Sequence, residues 1–242
     1  MAKADCTRCG GTGWVVKDRD GISAADRCEC RDQEQQEEKE QRAQIPQKFL
    51  KVSLDNFLGT DKTLRDAMNL VRGYTKEFAR GLPKPGLLFV GPPGTGKTHL
   101  AVAALRQLVV QGFEGVFFDY QNLLERIYAG YSEALGTSNR EAYRAALDSE
   151  VLLLDDLGAH RINDWVEDTV TSIITYRYNH QKPLIATTNL PDPDLGGVDN
   201  THRILLEERI GMRARSRLFE MCTVVRMWGA ADYRIKPQTL VR

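Results

Sequence analysis

From Ile45 onward the chain alternates between two textures. Short runs of nearly uninterrupted apolar residues recur at 86–90 ("GLLFV"), 115–119 ("GVFFD"), 151–156 ("VLLLDD"), 183–189 ("PLIATTN") and 222–227 ("CTVVRM"). Between them lie longer stretches whose apolar positions are spaced as on a helix face, predicting helices over 61–80, 99–112, 120–148, 163–180 and 201–219. A break is expected in the third of these near Gly136 to Asn139. Strands with no polar alternation are buried on both faces, and strands that alternate with helices build a parallel sheet. The expected fold is therefore α/β, a five-stranded parallel sheet flanked by helices, with ligands at the carboxyl ends of the strands.

Ahead of Ile45 the texture changes. The segment "RDQEQQEEKEQRAQ" at 31–44 is almost free of apolar residues and rich in helix formers, so it reads as a solvated helical tether or flexible linker. Residues 1–30 contain "GWVVKDRDGIS", a short apolar run at Trp14 to Val16 followed by an Asp20-Gly21 turn signal, which suggests a hairpin. The expected organisation is a small module at 1–30, a linker at 31–44 and a globular domain at 45–242.

Length and charge bound what these parts can do. A chain of 242 residues holds one nucleotide-binding domain of ordinary size plus an appendage. Its 33 basic residues balance 33 acidic ones, so any contact with nucleic acid must come from a local patch. No apolar run reaches membrane-spanning length and the N-terminus lacks an apolar core of signal-peptide size, so a cytoplasmic location and no membrane partner are expected.

A reducing compartment makes grouped thiols metal ligands or redox groups rather than disulfides. Cys6-x2-Cys9 and Cys28-x-Cys30 flank the hairpin segment, a pattern suited to a four-thiolate zinc site that a module too small for its own core would need. Gly10, Gly11 and Gly13 leave the backbone free to wrap the metal. A redox pair or an unstructured tail with incidental cysteines competes with that reading. Cys222 is expected to pack as a small buried hydrophobe.

The segment "GPPGTGKT" at 91–98 matches G-x4-G-K-[ST] directly after one predicted strand and before one predicted helix. Gly91, Pro92, Pro93, Gly94, Thr95, Gly96, Lys97, Thr98 and His99 are the expected nucleotide-binding residues, the backbone N–H groups cradling polyphosphate. Lys97 would neutralise the outer phosphates of ATP, and Thr98 would ligate Mg2+. "VLLLDDLG" delivers two carboxylates to the same sheet edge: Asp155 to hold magnesium through water, Asp156 to polarise the attacking water. Asn189 at the end of "ATTN" is placed to orient that water, with Thr188 as the second choice.

With these elements in this order the chain resembles the AAA+ ATPases over roughly residues 45–242, and more narrowly the DnaC/DnaI helicase loaders and the related IstB transposition ATPases. The narrower likeness rests on "IPQKFLKVSLDNF" at 45–57, the paired aspartates of "LLLDDLG", "ATTN" at the sensor-1 position and the closing "RARSRLFEMCTVVRMWGAADYR" at 213–234. The resemblance implies an ATPase that forms ATP-dependent homo-oligomers and completes each site with a residue from the next copy. Arg217 then stands at the arginine finger, Arg213 is an auxiliary candidate and Arg234 occupies the sensor-2 position. Without it, Arg209, Arg213, Arg215 and Arg217 would read as a solvated basic face.

It further implies that 120–148, with Arg126, Tyr128, Tyr131, Arg140, Tyr143 and Arg144, faces single-stranded DNA, although core packing accounts for the aromatics equally well. Only 235–242 follow "ADYR", so the C-terminal lid is expected to be reduced or absent. DnaI-like loaders grip a hexameric replicative DNA helicase through an N-terminal zinc domain, the role this implies for residues 1–30. The start of that module is similar also to the zinc modules of DnaJ-type chaperones. The expected function is ATP-dependent helicase loading with hydrolysis of ATP to ADP and phosphate. The alternatives are an IstB-like regulator of DNA transposition and, since Asp156 replaces the commoner glutamate, a nucleotide-gated binding module with little turnover.

Overall fold

The computed structural model describes residues 6–19, 22–78, 84–129, 136–195, 204–228 and 232–233. At the N-terminus β1 (Trp14–Arg19) and β2 (Ile22–Arg27) pair antiparallel, Trp14 opposite Arg27 and Arg19 opposite Ile22. The Asp20-Gly21 turn signal lies outside the described residues.

The strand β3 (Gly86–Val90) is followed by α3 (Lys97–Val110), β4 (Gly115–Asp119), β5 (Val151–Asp155), β6 (Leu184–Thr188) and β7 (Cys222–Arg226). These five strands form one parallel sheet in the order β4-β5-β6-β3-β7. Side chains alternate across a strand, so each apolar run feeds two cores at once. Leu88, Val90, Leu152, Leu154 and Ala186 belong to one core, whereas Leu87, Phe89, Leu153 and Ile185 belong to the other. That double burial is why the runs contain no polar alternation.

Helices cover both faces. On one face α2 (Lys62–Glu77), capped by Asp61 accepting from the Leu64 amide at 2.9 Å, packs with α3. The other face carries α4 (Tyr120–Ala129), α5 (Gly136–Asp148), α6 (Asp164–Asn179), α7 (Glu207–Ile210) and α8 (Met212–Met221). Asn163 caps α6 through the Val166 amide at 2.9 Å. The fully buried Arg177 of α6 donates to the carbonyls of Ala146 (2.9 Å), Leu147 (3.2 Å), Ser149 (3.2 Å), Glu150 (3.3 Å) and Pro183 (2.7 Å). It therefore satisfies the C-terminal carbonyls of α5 and joins them to the start of β6.

Three expectations differ from what is observed. Residues 31–42 are helical as part of α1 (Glu29–Arg42), with Glu37 to Lys39, Gln41 and Arg42 exposed, but one side of the helix end is docked rather than solvated. Glu40 and Ala43 are buried, Glu40 pairs with Arg106 of α3 at 2.8 Å, and the Ala43 carbonyl accepts from Phe117 of β4 at 2.8 Å. Second, Gly136 to Asn139, where a break is expected, are helical residues of α5. Third, the helix expected over 201–219 is divided at Gly211, whose left-handed backbone (φ +81°) separates α7 from α8. Among the described residues no helix is long and apolar enough to cross a membrane.

Candidate functional site

The loop from Gly91 to Gly96 leaves the carboxyl end of β3, near the centre of the sheet, and α3 starts at Lys97. Its glycines are sterically required. A Cβ on Gly91 would lie 2.3 Å from the Met227 carbonyl oxygen, one on Gly94 (φ +79°) would meet Asp232, and one on Gly96 (φ +91°) would meet the Phe57 ring. Lys97 is buried and its Nζ donates to the Pro92 carbonyl at 2.7 Å, while Thr95 Oγ1 donates to the same carbonyl at 3.0 Å.

Thr98 Oγ1 donates to Asp155 Oδ1 at 2.9 Å, so the P-loop helix and the end of β5 meet directly. Thr187 Oγ1 donates to the same carboxylate at 2.7 Å and accepts from the Asp156 amide at 2.9 Å. Burial pushes the Asp155 carboxyl above its usual range, the Thr187 and Thr98 hydroxyls pull it back, and the Asp156 charge pushes it up again. A buried anion with oxygen neighbours is the kind of donor that a divalent cation relieves, so the Thr98 and Asp155 oxygens fit a magnesium ion. At Asp156 the left-handed backbone (φ +56°) turns the chain out of β5. Its Oδ1 accepts from Asn189 Nδ2 at 2.9 Å. Thr188 instead donates to the Leu157 carbonyl at 2.9 Å and is fully buried, which removes the second choice from the site.

A cavity of about 340 Å³ joins these groups. It is lined by Gly94 to Thr98, Asp156 and Asn189 together with Phe49, Phe57, Leu58, Leu64 and Tyr233. His99 also lines it, edge-on to Phe57 at 5.3 Å with Nε2 at 3.0 Å from the Ser53 carbonyl oxygen. The dimensions and the mixed polar and aromatic lining suit a nucleotide. A larger hollow of about 720 Å³ opens near the amino ends of β4 and β5, lined by Lys39, Arg42, Glu114, Arg144 and Glu150 among others. It carries charges of both signs and lies away from the loop.

The sequence gives no role to Thr187 or to the rings that line the cavity. The first threonine of "ATTN" was one available signal, and Phe57 and Tyr233 lie within "IPQKFLKVSLDNF" and "ADYR", segments that carry the resemblance without assigning them a contact. Arg234 lies outside the described residues, although its neighbour Tyr233 donates its amide to the Gly94 carbonyl at 3.2 Å.

The four arginines of 209–217 do not form one basic face. Arg209 donates to the His160 carbonyl at 3.3 Å, and Arg215 pairs with Asp192 at 2.5 Å. Arg213 is exposed, Arg217 half-buried, and neither lines the cavity of its own chain. In the 120–148 segment Tyr120 is buried, whereas Tyr143 bonds Ser172 at 2.9 Å and Arg126 bonds Gln44 at 3.0 Å, both at the surface. Tyr128 remains exposed against the edge of Trp165 at 5.3 Å. Tyr131 and the Arg140 side chain lie outside the described residues.

The four N-terminal cysteines converge. All their sulfurs lie within 4.8 Å of one another, with Cys6 to Cys28 at 3.8 Å and Cys9 to Cys30 at 3.5 Å. Zn–S bonds of about 2.3 Å in a tetrahedron place sulfurs about 3.8 Å apart, so the set fits zinc. Cys28 caps α1 and Cys30 sits in its first turn, while the Gly13 amide points at Cys9 Sγ at 3.3 Å. The Cys6 thiol is lowered to about 6, first by the Cys9 backbone hydrogen bond, and burial among neighbouring thiols pushes Cys30 up to about 12.

Comparison with known proteins agrees with this arrangement. The family described as IstB-like ATP binding protein matches residues 17–239. The phage-like element PBSX protein XkdC of Bacillus subtilis (strain 168) is 25% identical over 232 residues, 92% of this chain and 81% of that protein. YqaM of the same organism is 28% identical over 193 residues, 74% of this chain, but the chain spans only 55% of YqaM. The crystal structure of the DnaC helicase loader superposes with a TM-score of 0.65 at 33% identity, covering 75% of this chain and 99% of that one. The chain thus belongs to the IstB-like ATP-binding proteins, within the AAA+ group that includes the DnaC and DnaI helicase loaders.

Proposed function

We propose that the protein is an ATP-dependent loader of a hexameric replicative DNA helicase, acting on single-stranded DNA in the cytoplasm. The observation that carries this reading is the likeness to the DnaC loader, 33% identical over nearly the whole of that structure. The metal-binding cysteines, the helix α1 and the nucleotide fold stand in the order a loader needs. Trp14 and Val16 add support, because both leave apolar surface exposed on the hairpin where a partner would dock.

ATP enters with its phosphates on the Gly91 to Gly96 loop, Lys97 neutralising them as it leaves the Pro92 carbonyl. Thr98 and Asp155 would hold Mg2+, which would supply charge neutralisation to the phosphates. Asp156 and Asn189, already hydrogen-bonded to one another, hold and polarise the attacking water. Arg217 of a neighbouring copy, aided by Arg213, meets the charge that develops on the transferred phosphoryl. Cys6, Cys9, Cys28 and Cys30 hold Zn2+, fixing the module at 1–30 that binds the helicase.

The test is removal of residues 1–28, which leaves the core contacts of Glu40, Ala43 and Ile45 intact. Helicase binding should disappear while nucleotide affinity stays; unchanged helicase binding would exclude the N-terminal role. A second reading, an IstB-like regulator of DNA transposition, draws on the family match across 17–239. It predicts tight ATP-dependent binding to duplex DNA, where the loader prefers single strands.

A further inference from the structure

Helix phase divides the arginines of α8. Residues four apart share a face, whereas residues two apart lie about 200° around the axis. Arg213 and Arg217 are therefore stacked together, with Arg217 Nη1 at 3.4 Å from the Arg213 carbonyl oxygen. Arg215 turns the other way, next to the buried Ala214 and Leu218 that mark the inner face.

There it grips Asp192 with two parallel bonds, Nε to Oδ2 at 2.6 Å and Nη2 to Oδ1 at 2.5 Å, and also contacts Asp194. The Phe219 ring lies 4.8 Å from the guanidinium. The Asp192 side chain is wholly buried, so this is an internal strut rather than a surface ion pair. A planar fork fixes orientation as well as distance, which an ammonium group does not.

The other end of the strut is close to the nucleotide site. Asp192 follows Asn189 by three residues, and the loop between is tied to the start of α7 by the Leu206 amide on the Pro191 carbonyl at 3.0 Å. The loop that leaves Asn189 in a chain's own cavity is thus fastened to the helix that presents Arg213 and Arg217 away from that cavity.

We infer that Arg215 is a positioning residue, and that the Arg215–Asp192 pair sets α8 so that Arg217 reaches the nucleotide of the neighbouring copy. This rests on the trans-completed site proposed above. The strut gives each copy a mechanical link between its own Asn189 and the finger it lends. A guanidinium displaced by about 1 Å from its productive position costs about 100-fold in rate, so a small tilt of α8 is enough to silence the finger.

A mixing experiment separates the strut from the reading on which it rests. The recipient is Arg217→Ala, which keeps its own nucleotide site but lends no finger. Donors are Asp156→Asn, which binds ATP without turning it over, and the same chain carrying Arg215→Lys. The Asp156→Asn donor should restore recipient hydrolysis by about tenfold or more, and the Arg215→Lys donor by less than about twofold. Equal rescue by both donors would overturn the strut and leave the trans site standing; rescue by neither would overturn the trans site itself. Donor nucleotide Kd and melting temperature are measured alongside. Should Arg215→Lys melt early, Asp192→Asn in the Asp156→Asn donor replaces it and should likewise lose rescue; full rescue by that donor would overturn the strut.

Discussion

Asp155 lies in a nearly dry place, and Thr187 gives it a hydrogen bond of 2.7 Å, shorter than the 2.9 Å bond from Thr98. The same hydroxyl accepts from the Asp156 amide, so one threonine sets both carboxylates. Thr187→Val keeps the shape and removes that donor. A hydrogen bond to a charged group is worth about 1.5–3 kcal/mol, which predicts a fall in kcat of about 10- to 100-fold with nucleotide Kd little changed. Single-turnover hydrolysis beside a nucleotide titration would read the two effects separately. Lys97, Thr98, Asp155 and Asp156 could be named in advance because the loop and the strand end fix their spacing along the chain. Thr187 and Arg215 could not, since their partners lie 32 and 23 residues away and meet them only through the folded sheet.

The five strands were readable as elements because burial on both faces leaves an unbroken apolar run. What escaped the sequence was how elements end and where they dock. "RDQEQQEEKEQRAQ" has the composition of a free tether, yet Glu40 pairs with Arg106 and Ala43 is buried, which docks one side of the end of α1 on the core while Lys39, Gln41 and Arg42 stay exposed. The same helix begins at the cysteine cluster, with Cys28 at its cap. With zinc on the four thiolates as proposed, chelation should loosen α1 from its start and lower amide-exchange protection there, while the β3 to β6 strands stay protected; equal loss throughout would count against a local role. Glu40→Ala should cost about 2 kcal/mol by denaturant unfolding, because Arg106 keeps its charge in a partly buried place without that carboxylate. Arg177→Met should cost more, about 3 kcal/mol or above, since the carbonyls it serves at the end of α5 and the start of β6 would be left unpaired in the interior.

At the scale of the assembly, the cavity of one chain is lined by the glycine loop, the Asp156 carboxylate and the Asn189 amide, but Arg213 and Arg217 do not line it. A site so divided predicts that hydrolysis per chain rises with protein concentration, and that Arg217→Ala lowers the plateau by about 1,000-fold without weakening ATP binding. A rate per chain that is independent of concentration would place the whole reaction in a single copy. The end proposed to bind a partner stands apart in the same way, the cysteine cluster and exposed Trp14 at the far end of α1 from the contacts with α3.

The most direct measurement is a native mass spectrum of the protein mixed with a replicative helicase and a non-hydrolysable ATP analogue. The loader account predicts a complex built on a helicase hexamer, with one zinc ion and one nucleotide per copy of this chain. Assembly of this chain alone, with the helicase left unbound, would contradict it and transfer the same nucleotide site to a regulator of transposition.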